Sequence, residues 1–172
     1  GQIVADDGPV AASADAFEIV MSGRGAHAAR PHESSDPIVA AAALVGALQQ
    51  VVSRRMNPGD AGVLTVATIH AGMASNVIPQ QATLTGTIRA LRPEVRGMMR
   101  REMEQVVAGV ALAHDVSGSV EYSDSTPPVV NDPVAAGHAR AAVNRLLGAE
   151  ALMPLGFLNM ASEDFAHYLE RI

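Results

Sequence analysis

From residue 80 to residue 91 the chain alternates without a break. Ala82, Leu84, Gly86, Ile88 and Ala90 fall on one face, and Thr83, Thr85, Thr87 and Arg89 on the other. Strand side chains point to opposite faces with a period of two, so this stretch buries its apolar half only as a β-strand lying on a core. Such a strand requires neighbours along its edges and an apolar cover on one face. Residues 15–22 repeat the pattern through Phe17, Ile19 and Met21. Residues 62–70 (GVLTVATIH) and 117–123 (SGSVEYS) supply two further strands.

Two helical stretches provide the cover. Asp36-Pro37 opens the first, with Asp36 as N-cap and Pro37 at the first helical position. Ile38, Ala41, Val45, Leu48 and Val52 then recur at the helical period, and Arg54-Arg55 suits the negative end of the dipole. Residues 93–114 form the second helix, with Val95, Met99, Met103, Val106, Val110 and Ala113 on one stripe. Segments 23–32 and 71–79, rich in Gly and Pro, read as loops. The order is β-α-β-β-α-β, the ferredoxin-like arrangement of the α+β class, with two helices on one face of a four-stranded antiparallel sheet. This unit is expected over residues 15–125, with 1–14 as a flank or linker. Pro127-Pro128 and Asn131-Asp132 mark an exit. A helix over 133–147 stopped by Gly148, a short strand at 151–155 and a helix beginning in 162–172 form a tail. That tail, 126–172, is too small to fold alone and must dock on something else.

At 172 residues there is room for one full domain and part of a second. With 3% aromatics and no Trp, the core must be made of Ala, Val, Leu, Ile and Met. A net charge of −6 and few aromatics argue against a nucleic-acid partner, which asks for a basic stripe and stacking rings. The absence of Cys excludes disulfides and thiolate metal sites within this segment. No apolar run approaches the roughly 20 residues of a membrane span, and residues 1–10 do not resemble a signal peptide. The expectation is a soluble, cytoplasmic protein with no membrane partner.

Read one by one, the polar residues are ambiguous. Of the six histidines, His27 and His32 are five apart with Pro31 between them and off any helix, and His70, His114, His138 and His167 read as isolated, without carboxylates at metal-site spacings. Gly23 and Gly25 are not a dinucleotide fingerprint, because Ala28, Ala29 and Pro31 follow where a third glycine and a helix belong. They do permit a backbone that brings His27 close to a partner surface. Arg89 is either a solvated edge charge or a guanidinium fork for a carboxylate. Asn76 either caps a turn or presents its amide to a ligand. Glu163 and Asp164 read as N-terminal dressing of the last helix.

Six segments, in order, narrow the choice. They are Gly23-Arg24-Gly25-Ala26-His27-Ala28-Ala29-Arg30-Pro31-His32, Asp36-Pro37-Ile38, Ser75-Asn76-Val77-Ile78-Pro79, Gly86-Thr87-Ile88-Arg89, Pro127-Pro128-Val129-Val130-Asn131-Asp132 and Ser162-Glu163-Asp164-Phe165-Ala166. Together they resemble the N-acyl-amino-acid amidohydrolase branch of the dinuclear metallopeptidases, which includes hippurate hydrolase. The resemblance implies an α/β catalytic domain holding two divalent metal ions, zinc or manganese, and a Glu general base. A ferredoxin-like lid is inserted into that domain and pairs across a two-fold axis to make a homodimer. It implies that His27 is catalytic, stabilising the oxyanion in the active site of the partner subunit. Asn76 and Arg89 would hold the N-acyl amino acid and its free carboxylate. The family's metal-binding Cys-x-His, Glu pair and further histidines fall outside this segment, so no metal is expected on the chain itself. His32 reads as structural.

Two other classes compete. A free-standing ferredoxin-like module for dimerisation or small-ligand binding has no need of the tail with its Ser162-Glu163-Asp164-Phe165 segment. An RNA-binding module of the same element order is disfavoured by the acidic charge and by strands without stacking aromatics.

Overall fold

A computed structural model describes residues 1–171. In chain order its elements are β1 (Gly8–Ala11), β2 (Ala14–Ser22), β3 (Ala26–His27), α1 (Pro37–Gln50), β4 (Gly62–Ala71), β5 (Val77–Ile78) and β6 (Gln81–Ala90). After these come α2 (Pro93–Ala113), β7 (Ser117–Thr126), β8 (Val129–Asn131), α3 (Pro133–Leu147) and α4 (Ala166–Leu169). The main sheet has the antiparallel order β4-β6-β2-β7. Counted within the unit this is 4-1-3-2 read from the β7 edge, the ferredoxin-like order. Helices α1 and α2 lie together on one face.

The alternation of β6 is realised as expected: Ala82, Leu84, Gly86, Ile88 and Ala90 are buried, and the threonines and Arg89 are only half-buried. β2 faces inward through Phe17, Ile19 and Met21, opposite Leu44, Leu48 and Val51 of the first helical stretch and Met99, Met103 and Val107 of α2. Among the described residues Phe17 is the only fully buried aromatic of this core, with Tyr122 partly buried against it, and it pairs directly with Gly86. A Cβ on Gly86 would stand 2.5 Å from the Phe17 ring and 1.9 Å from the Thr65 carbonyl oxygen. The glycine makes room for the ring rather than for a turn. Helix starts follow the sequence: Asp36 Oδ1 accepts from the amides of Ile38 (2.8 Å) and Val39 (3.4 Å), and Asp132 caps α3 likewise.

Several expectations need correction. The supposed loops 23–32 and 71–79 contain two short strands, β3 and β5, which pair antiparallel with each other. The flank 1–14 contains β1, which pairs with β8, so the two ends of the chain form a ladder of their own. Residues 151–155 are not a strand. Ala149–Ala151 is a 3-10 turn, and one isolated bridge joins Ile3 to Leu152. The last helix spans only Ala166–Leu169, and the end of the expected segment, Ile172, lies outside the described residues. β7 continues to Thr126, one residue past the expected boundary. Finally, α1 and the π-turn that closes it, Pro37–Arg55, are long and apolar enough to cross a membrane, contrary to the reading that no run approaches that length. One side of that stretch is packed on the sheet. The other side, Val39, Ala42, Ala43 and Gly46, is exposed.

The tail is held by the opening segment. Arg140 donates to the Ala5 carbonyl and pairs with Asp7, Asn131 donates to the Asp6 carbonyl, and Asp6 accepts from the Leu155 amide. Ala12 then donates to the carbonyls of Asn159 and Ala161, linking the tail to the root of the lid.

Candidate functional site

His27 stands on β3, opposite Val77 of β5. The Ala28 amide donates to the Asn76 carbonyl at 2.9 Å, so His27 and Asn76 occupy one ledge. Both side chains are exposed. The ledge is tied to the sheet beyond the Ser22–Gln81 end, where the Gly23 amide donates to the Gln80 carbonyl at 2.9 Å. Gly23 and Gly25 are needed for closeness. A Cβ on Gly23 would lie 2.0 Å from the Ser35 carbonyl oxygen, and one on Gly25 would lie 2.7 Å from that of Ile78. The turn after β3 is stapled by the Arg30 amide on the His27 carbonyl (2.7 Å) and by the Ala29 amide on His27 Nδ1 (3.1 Å).

Arg89 is elsewhere. It lies near the far end of β6, opposite Val63, on the open face of the sheet. Between Gln81 and Arg89 the strand rises about 27 Å. The guanidinium is half-buried and donates to the Met160 carbonyl at 3.3 Å, and among the described residues it makes no ion pair. The structure therefore brings His27 and Asn76 together and holds Arg89 apart from both, beside the tail. An open guanidinium on a polar face suits a carboxylate.

The remaining histidines are scattered. His32 lies in the 3-10 turn Pro31–Glu33, His70 on β4, His114 at the end of α2, His138 on α3 and His167 on α4. Among the described residues no three of His, Cys, Asp or Glu gather closely enough to hold a metal ion. A dinuclear centre does not fit the described residues of this chain. Glu163 accepts from the Phe165 amide, the helix-dressing role read from the sequence.

One ionisable residue was missed. Asp15 is in phase with Phe17, Ile19 and Met21 and so points inward, with no solvent exposure. The signal was available, since a carboxylate on the buried parity of a strand needs a partner. Arg96 of α2 grips both its oxygens at 2.8 Å, Ser125 of β7 donates at 2.6 Å, and Arg100 lies 3.8 Å away. Burial pushes its pKa up, but the hydrogen bonds from Arg96 and Ser125 and the two Arg charges outweigh this. The carboxyl is held below its ordinary range.

Comparison with known proteins follows the same outline. The family described as the peptidase dimerisation domain matches residues 13–115, which hold both helices and three of the four main-sheet strands. The whole chain aligns at 36% identity with N-acetyl-L-cysteine deacetylase of Bacillus subtilis, covering 41% of that protein. It also aligns with an IAA-amino acid hydrolase of Arabidopsis thaliana, 36% identical over the whole chain and 39% of the relative. Among solved structures, a dinuclear metal binding peptidase of the M20 family from Bacillus subtilis superposes with a TM-score of 0.78 at 30% identity. There 97% of this chain and 40% of the other are covered. The chain thus spans about two fifths of the length of the relatives it matches.

Proposed function

Because this chain belongs to the peptidase dimerisation domain family of the M20 peptidases, we propose that it is the lid of a metal-dependent amidohydrolase that hydrolyses the amide bond of N-acyl amino acids. Its two ends would form part of the catalytic domain. In this reading two divalent ions sit on residues outside the chain. The chain contributes Arg89 to its own subunit's site and the His27–Asn76 ledge to the site of the partner subunit. The observation that carries it is the separation of the ledge from Arg89, because no single small substrate spans the length of β6. Two relatives support the substrate class: one is named for removing acetyl from cysteine, the other for hydrolysing IAA-amino acid conjugates. Exposed Val134, Leu146, Phe157, Leu158 and Phe165 on the tail favour packing against a further domain.

Mixing inactive subunits tests this. With substrate held far below KM, the His27→Ala and Arg89→Ala forms of the parent enzyme each keep at most about a tenth of wild-type activity in this reading. After subunit exchange about a quarter of wild-type activity returns, since half the dimers are mixed and each mixed dimer rebuilds one of two sites. No recovery despite demonstrated exchange would place all three residues in one subunit's site and overturn the proposal. Alone, Arg89→Ala is expected to raise KM about ten- to a hundredfold for substrates with a free carboxylate, reflecting the loss of a charge-assisted hydrogen bond. Steady-state kinetics against the matching amide-capped substrate, whose KM should not move, checks it.

The same reading places the dimer contact at β4 and α1. β4 is an edge strand with no charged residue from Gly62 to Ala71 and with Val63 and Ile69 partly exposed. The opposite edge, β7, carries Glu121 and Asp124. Unprotected edges pair with other strands, and charged ones resist it. Beside β4 runs the exposed small-residue side of α1, which admits a close helix neighbour. Gly46 offers a clean test, because a Cβ there meets nothing within 4 Å among the described residues beyond the backbone of its own helix. Gly46→Glu is expected to leave the thermal midpoint unchanged or raised, given the poor helix propensity of glycine, while converting dimer to monomer in light scattering. A dimer of undiminished affinity would move the interface elsewhere.

A further inference from the structure

We propose that the backbone amide of Ala29 sets the tautomer of His27, so that the ring meets its substrate with Nε2–H as a hydrogen-bond donor. The inference rests on the proposed contribution of His27 to the partner subunit's site, in the oxyanion role that the family resemblance implies for it. Each amide of the turn has an identified destination: Ala28 N–H goes to the Asn76 carbonyl, Arg30 N–H to the His27 carbonyl, and Ala29 N–H to the imidazole Nδ1 at 3.1 Å. A neutral imidazole carries one proton, and the nitrogen that accepts from an amide does not carry it. The proton therefore sits on Nε2, the ring corner farthest from the backbone, on an exposed side chain.

The chemistry depends on this choice. An oxyanion is stabilised by a donor aimed at it. The other tautomer would present a lone pair to the same oxygen and repel it. A second-neighbour amide that fixes the tautomer makes the ring a donor without requiring it to be charged. The same fixing keeps Nε2 from serving as a base, since the neutral ring's one lone pair is already engaged at Nδ1. The ledge holds the geometry rigidly: β3 pairs with β5, and Gly25 lets the two backbones close to a distance no other residue permits. Ala29 is thus a positioning residue acting through its main chain.

Nitrogen NMR of the 15N-labelled chain, recorded where imidazoles are neutral, tests the proposal directly, with His27 assigned by the loss of its signals in His27→Gln. The expected spectrum shows Nδ1 wholly of the acceptor type, Nε2 wholly protonated and a scalar coupling between Nδ1 and the Ala29 amide nitrogen. Exposed His138 should show a mixture of both tautomers. A mixture at His27 equal to that at His138, without the coupling, would overturn the proposal. In the parent enzyme Ala29→Pro, which deletes the donor, is expected to lower kcat about five- to tenfold with KM unchanged. It should also bring the second tautomer into the spectrum, and a spectrum unaltered by Ala29→Pro would overturn the assignment equally. If His27→Ala leaves kcat intact, the oxyanion reading fails, while the spectrum still decides the tautomer.

Discussion

His27→Ala in the parent enzyme is expected to lower kcat by about 10²–10³ with little change in KM, the usual loss when one oxyanion donor is removed. The effect should be confined to chemistry. His27 is exposed, its ring makes a single hydrogen bond to the adjacent turn, and its removal leaves the β3–β5 pairing and the α1 surface untouched. Dimer mass and thermal midpoint should therefore match the wild type. Steady-state kinetics on an N-acetyl amino acid, with light scattering on the same sample, separates the possibilities. A fall carried by KM alone would make His27 a binding residue, and a fall accompanied by dissociation would make it an interface residue.

Asp15→Ala is expected to be the most destabilising single change in the lid, costing about 3–5 kcal/mol, because it leaves Arg96 and Ser125 facing a void where a fully buried carboxylate had joined them. Against a typical total of about 5–15 kcal/mol this is a large share. Asp15 ties the start of β2, the first turns of α2 and the end of β7, the place where the chain enters and leaves the lid. The pH dependence has a definite sign. Its folded pKa is lowered, so the stabilisation is complete above the unfolded value of about 3.9 and is lost as pH falls through the folded value. Urea unfolding at pH 7 and again below pH 4 checks this: the wild type should lose stability over that interval, and Asp15→Asn should lose less. Parallel losses would show that the cluster contributes nothing specific.

Most of the lid was legible because its signals are local. The period-two alternation of β6, the helical stripe of α2 and the Asp-Pro starts of α1 and α3 each state a preference that the neighbouring few residues decide. The short strands were not legible. β3 and β5 are two residues each, too brief for any periodicity, and they exist only because residues about fifty apart in sequence are brought edge to edge. β1 and β8 illustrate the same point over a longer span. The last helix was legible in place but not in length: it begins within 162–172, yet only Ala166–Leu169 are helical, with Ala166 buried against Ala11 and Val129.

The site divides along the same line. The residue types at His27, Asn76 and Arg89 and the motifs around them are properties of the sequence, and they identify the family. What the tertiary structure decided is their distribution. Antiparallel pairing of β2 with β6 places the ledge at one end of the sheet and Arg89 at the other, a separation fixed by strand length that no residue pattern expresses. The Ala29 amide on His27 Nδ1 depends likewise on a turn geometry that becomes visible only once β3 is paired. Sequence fixes which groups are available, since side-chain chemistry is carried residue by residue. Folding fixes which of them meet, since proximity is a property of the paired sheet.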